Sequence, residues 1–141
     1  MVKIDRILFV DDDIICSFLN TTLVEELCIA KEVKALQSAE EALDYIATHY
    51  SSTSLPKHGQ PDLIFVDIKM PLMNGFELLE ELHKLKDIDR SRFRIIMLSA
   101  SLNPLDQRRA TFHKEKLYAY LSKPLTEEKV REILSEVGAL K

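Results

Sequence analysis

The sequence predicts a doubly wound α/β fold, a five-stranded parallel sheet with five helices on its two faces. Three observations carry that expectation. Short β-branched or aromatic runs alternate strictly with longer segments whose apolar residues recur at helical spacing. The run Asp62–Asp67 (DLIFVD) is apolar between its terminal aspartates, as a central parallel strand covered on both faces requires. Helix-start residues stand between successive strands, which suits right-handed crossovers. With 141 residues, 46% hydrophobic and 30% charged, the chain suits one core and reads as a single domain over 1–141.

The elements follow in order. Ile4 to Val10 (IDRILFV) is the first strand and ends in three aspartates. Ile14, Ile15, Phe18, Leu19, Thr22, Leu23 and Leu27 mark the first helix, with Asp13 as its N-cap. Glu32 to Leu36 is the second strand, and Ser38 with Glu41 fits a capping box opening a helix through Leu43 and Ile46. Ser51 to Gln60 is a polar loop carrying Pro56 and Gly59. After the third strand, Asn74 with Glu77 starts a helix through Leu78, Leu79, Leu82 and Leu85. Arg94 to Ser99 is the fourth strand, and Asn103 and Pro104 open a helix to about Lys116. Tyr118 to Ser122 is the fifth strand, and Thr126 caps a last helix through Val130, Ile133, Leu134 and Val137.

Composition excludes several classes. A net charge of −4 without a lysine or arginine run disfavours direct nucleic-acid binding through phosphate neutralisation. The amino-terminal apolar run is far below the ~20 residues a membrane span needs, so the expected setting is cytoplasmic, without membrane contact. Cys16 and Cys28, twelve residues apart on one predicted helix, would stand ~18 Å apart, too far for a disulfide. The histidines His49, His58, His83 and His113 show no paired zinc spacing.

Ligands of such sheets bind beyond the carboxyl ends of the strands, where the strand order reverses. The first strand ends in Asp11, Asp12 and Asp13, the third in Asp67, the fourth in Ser99, and the fifth in Lys123 followed by Pro124. Carboxylates brought together repel, and a hard divalent cation with oxygen ligands relieves them. Mg2+, with one or two carboxylates and several waters, suits Asp11, Asp12 and Asp67. A carboxylate can also attack phosphorus to give an aspartyl phosphate. Lys123 and Ser99 offer the ammonium and the hydroxyl that phosphoryl oxygens require. Gly59, Gly75 and Gly138 form no phosphate-binding fingerprint, so the phosphodonor is expected to be a protein or small molecule rather than a free nucleotide.

Val10-Asp11-Asp12, Asp67-Ile68-Lys69-Met70-Pro71 with Asn74-Gly75, Ser99-Ala100 and Lys123-Pro124 together resemble the receiver domain of two-component response regulators, with the motifs in the family's order. The resemblance runs from about Ile4 to Val137. It implies a flavodoxin-like sheet of strand order 2-1-3-4-5. It also implies Asp67 as phosphoacceptor, and Asp11, Asp12, Asp67 and the backbone carbonyl of Lys69 around Mg2+. Ser99 and Lys123 would meet the phosphoryl group, Tyr120 would follow activation, and Lys123-Pro124 would be a candidate cis peptide. Lys69, where many members carry a small polar residue, and the longer loop around Ser51 to Gln60 depart from the commonest pattern.

Simpler roles stand beside these. Asp13 reads as a cap, and Arg108, Arg109, His113, Lys114 and Lys116 as a solvated helix face. Met70 and Met73 read as loop residues filling gaps. An aspartate-nucleophile phosphatase of haloacid-dehalogenase type is the alternative, drawn from Asp11-Asp12-Asp13, with Ile14 and Ile15 against it. An unphosphorylated scaffold is a third. The chain ends eighteen residues after Lys123, room for one helix. The expectation is therefore a stand-alone, chemotaxis-regulator-like receiver. It would take phosphate from a sensor histidine kinase or histidine phosphotransfer protein and meet a downstream protein through its helix 4–strand 5–helix 5 face.

Overall fold

The computed structural model describes residues 4–52, 61–100, 104–112 and 117–136. The elements are β1 (Ile4–Val10), α1 (Ile14–Leu27), β2 (Ala30–Leu36), α2 (Ala39–His49), β3 (Asp62–Asp67), α3 (Gly75–Lys84), a 3₁₀ turn (Arg90–Arg92), β4 (Phe93–Ser99), α4 (Pro104–Phe112), β5 (Ala119–Ser122) and α5 (Glu127–Glu136). All neighbouring strands are parallel, in the order β2-β1-β3-β4-β5. The predicted flavodoxin-like architecture is the one observed.

The two-residue period of the strands divides the core. Leu8, Val10, Ile64, Val66, Ile95 and Met97 face one way, toward α2, α3 and Ala110 of α4. Ile7, Phe9, Leu63, Phe65, Ile96 and Leu98 face the other, toward Val24 of α1 and Val130, Ile133 and Leu134 of α5. Phe9 pairs in register with Phe65 across β1 and β3, and their rings stack at 5.0 Å. Burial on both faces explains why β3 is buried at every position.

Several boundaries differ from the sequence reading. β2 begins at Ala30, two residues before the predicted Glu32, because its register with β1 starts at Ile4↔Ala30. Its edge position leaves most of it exposed and its apolar pattern faint. β5 begins one residue later than predicted, at Ala119, and α5 is described to Glu136. At α2, Ser38 accepts from the Glu41 amide as predicted, but the Glu41 carboxylate accepts from Gln37 rather than Ser38. The full reciprocal capping box stands at α3, between Asn74 and Glu77. Cys28 is a left-handed C-cap with φ 54°, and both thiols are free. Asn103, His113, Lys114, Lys116 and most of the Ser51–Gln60 loop lie outside the described residues.

The first helix forms where its apolar spacing places it, and that spacing left open which side is buried. Ile14, Ile15, Phe18 and Leu19 are 60–71% exposed, while Val24 and Ser17 are buried.

Away from the strands' carboxyl ends, the buried Asp62 carboxylate accepts from the Tyr50 hydroxyl at 2.6 Å and from the Arg6 amide at 3.2 Å. Burial, with the bond to Asp62, pushes the Tyr50 phenol far above its ordinary range. Tyr50→Phe should lower stability by about 1–3 kcal/mol, because it strips a buried carboxylate of a donor. Urea unfolding of the two proteins measures this, and coincident midpoints would show that the bond contributes nothing net.

Candidate functional site

The site is assembled where β1 and β3 lie side by side and the chain leaves in opposite directions. Asp11 continues the β1–β2 ladder, its amide donating to the Leu36 carbonyl at 3.0 Å, and so it is buried at 3% exposure. Its Oδ1 accepts from the Asp13 amide at 2.9 Å, which turns the chain toward α1. Asp13 then caps α1, accepting from the Ile15 and Cys16 amides, and those bonds hold its carboxyl below the usual range. It does not belong to the carboxylate cluster. Asp12 is exposed at the rim.

Asp67 ends β3 and is buried at 8% exposure. Carboxylate oxygens of Asp11, Asp12 and Asp67 lie within 4.8 Å of one another. Between the two buried carboxylates stands the Lys123 ammonium, 3.2 Å from Asp11 Oδ2 and 3.1 Å from Asp67 Oδ1. Lys123 reaches them from the end of β5, where its amide donates to the Ser99 carbonyl at 2.7 Å. Ser99, buried at 3% exposure, ends β4. The Lys123-Pro124 peptide is cis.

Three carboxylates against one ammonium leave the ionised pocket with two negative charges in excess. An all-oxygen donor set with that imbalance suits a hard divalent cation. The electrostatics show the same tension. Burial, and next the Asp11 charge, push the Asp67 carboxyl above its ordinary range, although Lys123 pulls the other way. Burial works against the Lys123 ammonium, but Asp67 and Asp11 more than offset it and hold its pKa above the usual lysine value.

The β3–α3 loop closes one side. The Gly75 amide donates to the Ile68 carbonyl at 2.9 Å, folding α3 back against the end of β3. Lys69 is exposed and lines a shallow 460 Å³ depression together with Asn74 and Arg109. Met70 is buried, and Met73 packs against the core below it.

The chain matches the model of the response regulator receiver domain over residues 7–135. It belongs to that family. The receiver is 31% identical to a solved two-component response regulator from Cytophaga hutchinsonii, covering 96% of this chain and 97% of that one with a TM-score of 0.80. A response regulator receiver protein from Dyadobacter fermentans matches at 25% identity and TM-score 0.79, covering 94% and 97%. Among curated proteins, the receiver is 35% identical over 82 residues to a protein-glutamate methylesterase/protein-glutamine glutaminase of Desulfotalea psychrophila, covering 58% of this chain and 20% of that protein. The chain spans a fifth to a third of the length of the curated relatives it matches. Receivers are signalling switches, and the dehalogenase-type alternative is set aside.

The receiver's remaining predicted residues lie nearby. Tyr120 on β5 packs partly buried against the α2–α3 side of the core, and its hydroxyl is buried without a hydrogen-bond partner among the described residues. Arg108 and Arg109 are both exposed, as the solvated-face reading has it, and the Arg109 guanidinium also lies over the Phe76 ring of α3 at 4.5 Å. Two features escaped the sequence reading. One is the exposure of the apolar residues in the first half of α1. The other is Lys129, whose contacts depend on how α5 meets the end of β5. Among the described residues, no helix is long and apolar enough to cross a membrane.

Proposed function

We propose that this receiver is a phosphoaccepting switch in which Asp67 takes a phosphoryl group from a histidine kinase or histidine phosphotransfer protein in the cytoplasm. The observation that carries this is the Lys123 ammonium seated between Asp11 and Asp67, with Asp12 in the same cluster. Asp11, Asp12, Asp67 and the Lys69 carbonyl would hold Mg2+, which when bound supplies positive charge to the crowded oxygens. In the transfer, an Asp67 carboxylate oxygen attacks phosphorus and the bond from phosphorus to the donor's imidazole nitrogen breaks. The electron pair stays on that nitrogen, and an acyl phosphate is left on Asp67. Lys123 can exchange its contact with Asp67 for one to a phosphoryl oxygen, and Ser99 can donate its hydroxyl to another.

The phosphoryl group itself carries roughly −1.5 to −2 charges. Because the Asp67 carboxylate gives up its own charge in forming the acyl bond, the net addition is roughly −0.5 to −1. A near-complete switch from 1:99 to 99:1 needs ~5.5 kcal/mol, whereas one charge-assisted hydrogen bond from Ser99 is worth ~1.5–3 kcal/mol. Lys123 and Tyr120 must share the coupling. The Tyr120 hydroxyl, buried without a described partner, gains one if the ring turns outward into water. That motion would reshape the α4–β5–α5 face, where Leu105 and Arg108 are exposed to a downstream protein. Incubation with a small phosphodonor and Mg2+ tests the reading by intact mass. A phosphoryl-sized gain that disappears with chelator is expected; no gain would leave the unphosphorylated scaffold in its place.

A protein donor is favoured by the first turns of α1. Ile14, Ile15, Phe18 and Leu19 are exposed on the helix that follows Asp11, Asp12 and Asp13, so a surface covering them also reaches the acidic pocket. Replacing Ile15 and Phe18 with serine should slow transfer from a phosphohistidine protein by about tenfold or more. Labelling by a small phosphodonor should stay unchanged, because neither side chain touches the carboxylates. Equal slowing with both donors would show that this face plays no docking part.

A further inference from the structure

Lys129 is the third residue of α5, in the first turn, where the helix's own partial charge disfavours a cation. Its ammonium turns back toward the end of β5. It donates to the Ser122 carbonyl at 2.6 Å, the Pro124 carbonyl at 2.9 Å and the Ser122 hydroxyl at 3.3 Å. An ammonium has three donors, so all three are in use. The two carbonyls belong to the residues on either side of Lys123.

β5 is a four-residue edge strand, paired only with β4, and the residues flanking Lys123 are exposed. The Lys123 amide is tied to Ser99 and Leu125 is buried in the core, while the carbonyls on either side of Lys123 are held by Lys129. The Lys123 ammonium must nonetheless stand 3.1–3.2 Å from carboxylates carried by two other strands. We infer that Lys129 is a positioning residue for Lys123: by gripping both flanking residues it fixes the point from which the Lys123 side chain reaches Asp11 and Asp67. The inference rests on the reading of Asp67 as phosphoacceptor only for its consequence in rate.

Lys129→Met keeps the aliphatic stem and removes the donors. Phosphorylation by a small phosphodonor should fall about 10- to 100-fold, the scale expected when a charge-stabilising group is displaced by about 1 Å. Magnesium affinity should be unchanged or tighter, because the carboxylates are intact and a competing ammonium is less firmly held among them. A role confined to stability would weaken both together. Amide hydrogen exchange at Lys123 without metal or phosphodonor should accelerate, and Lys129→Arg, which can donate to both carbonyls, should recover most of the rate. A Lys129→Met protein that labels at the wild-type rate, or whose magnesium affinity falls in step with its labelling, overturns the inference. If the wild type takes no label, the Asp67 reading falls, and exchange at the Lys123 amide decides the clamp alone. Acceleration in Lys129→Met supports it and an unchanged rate refutes it.

Discussion

Asp67→Asn should reduce magnesium-dependent phosphoryl labelling to background while making the metal-free protein more stable near neutral pH. Loss of labelling follows from loss of the nucleophilic carboxylate; Asp11→Asn, which leaves the acceptor in place, should only weaken it. The gain in stability follows from the site's electrostatics. Burial and the Asp11 charge together outweigh Lys123 and raise the Asp67 pKa on folding, so the ionised form opposes the folded state. The folded protein therefore holds the Asp67 proton at pH values where the unfolded chain has released it. The stabilisation from that proton is present at low pH. It is lost as pH rises from the ordinary carboxylate pKa, about 3.9, through the elevated folded value. Asparagine carries no charge and removes the penalty, and Lys123 keeps its ion pair with Asp11. Urea unfolding of both proteins in chelator across this range isolates the effect, because every other carboxylate is shared. Labelled Asp67→Asn would move the acceptor elsewhere, and parallel stability profiles would show that Lys123 fully compensates the buried charge.

Gly75→Ala should destabilise the fold and displace the acceptor together. A Cβ at Gly75 would stand 2.8 Å from the Met97 Sδ, 2.9 Å from the Asp67 carbonyl oxygen and 3.1 Å from the Ile68 Cα. Met97 is fully buried, with little room to swing aside. The other two contacts are backbone at the end of β3, so α3 or the strand end must shift. Overpacking of this kind costs about 1–3 kcal/mol. The strain falls on the peptide carrying the Asp67 carboxylate, so labelling should slow even at temperatures where the variant is folded. Thermal unfolding and labelling rate measure the two effects. A variant that melts with the wild type would show that the loop absorbs the methyl group without cost.

Local chemistry was legible in the sequence because its causes are local. Asp13 and Asn74 cap helices through amides two or three residues on, and each lies where the sequence places it. The strands are marked by short β-branched and aromatic runs and the sheet order by the family's motifs, and the polar residues at the strands' carboxyl ends follow from those assignments. Edges and surfaces were less legible. β2 is exposed along one side and carries little apolar signal at Ala30 and Lys31, so its start was missed. Along α1, apolar spacing marks a helix equally well whether the face meets the core or lies open, and only Val24 and its neighbours meet the core.

What the sequence determined by itself is therefore the alternation of elements, their caps, and the residue type standing at the end of each strand. The tertiary structure alone decided distance. Asp11 and Lys123 are 112 positions apart and meet at 3.2 Å because four parallel pairings bring the strand ends to one rim. Tertiary packing likewise decided that Asp12 stays at the rim while Asp11 is buried, and that Lys129 folds back onto the turn bearing Lys123. Contacts across the sheet depend on register and on how helices seat against it, quantities that no local pattern of residues encodes.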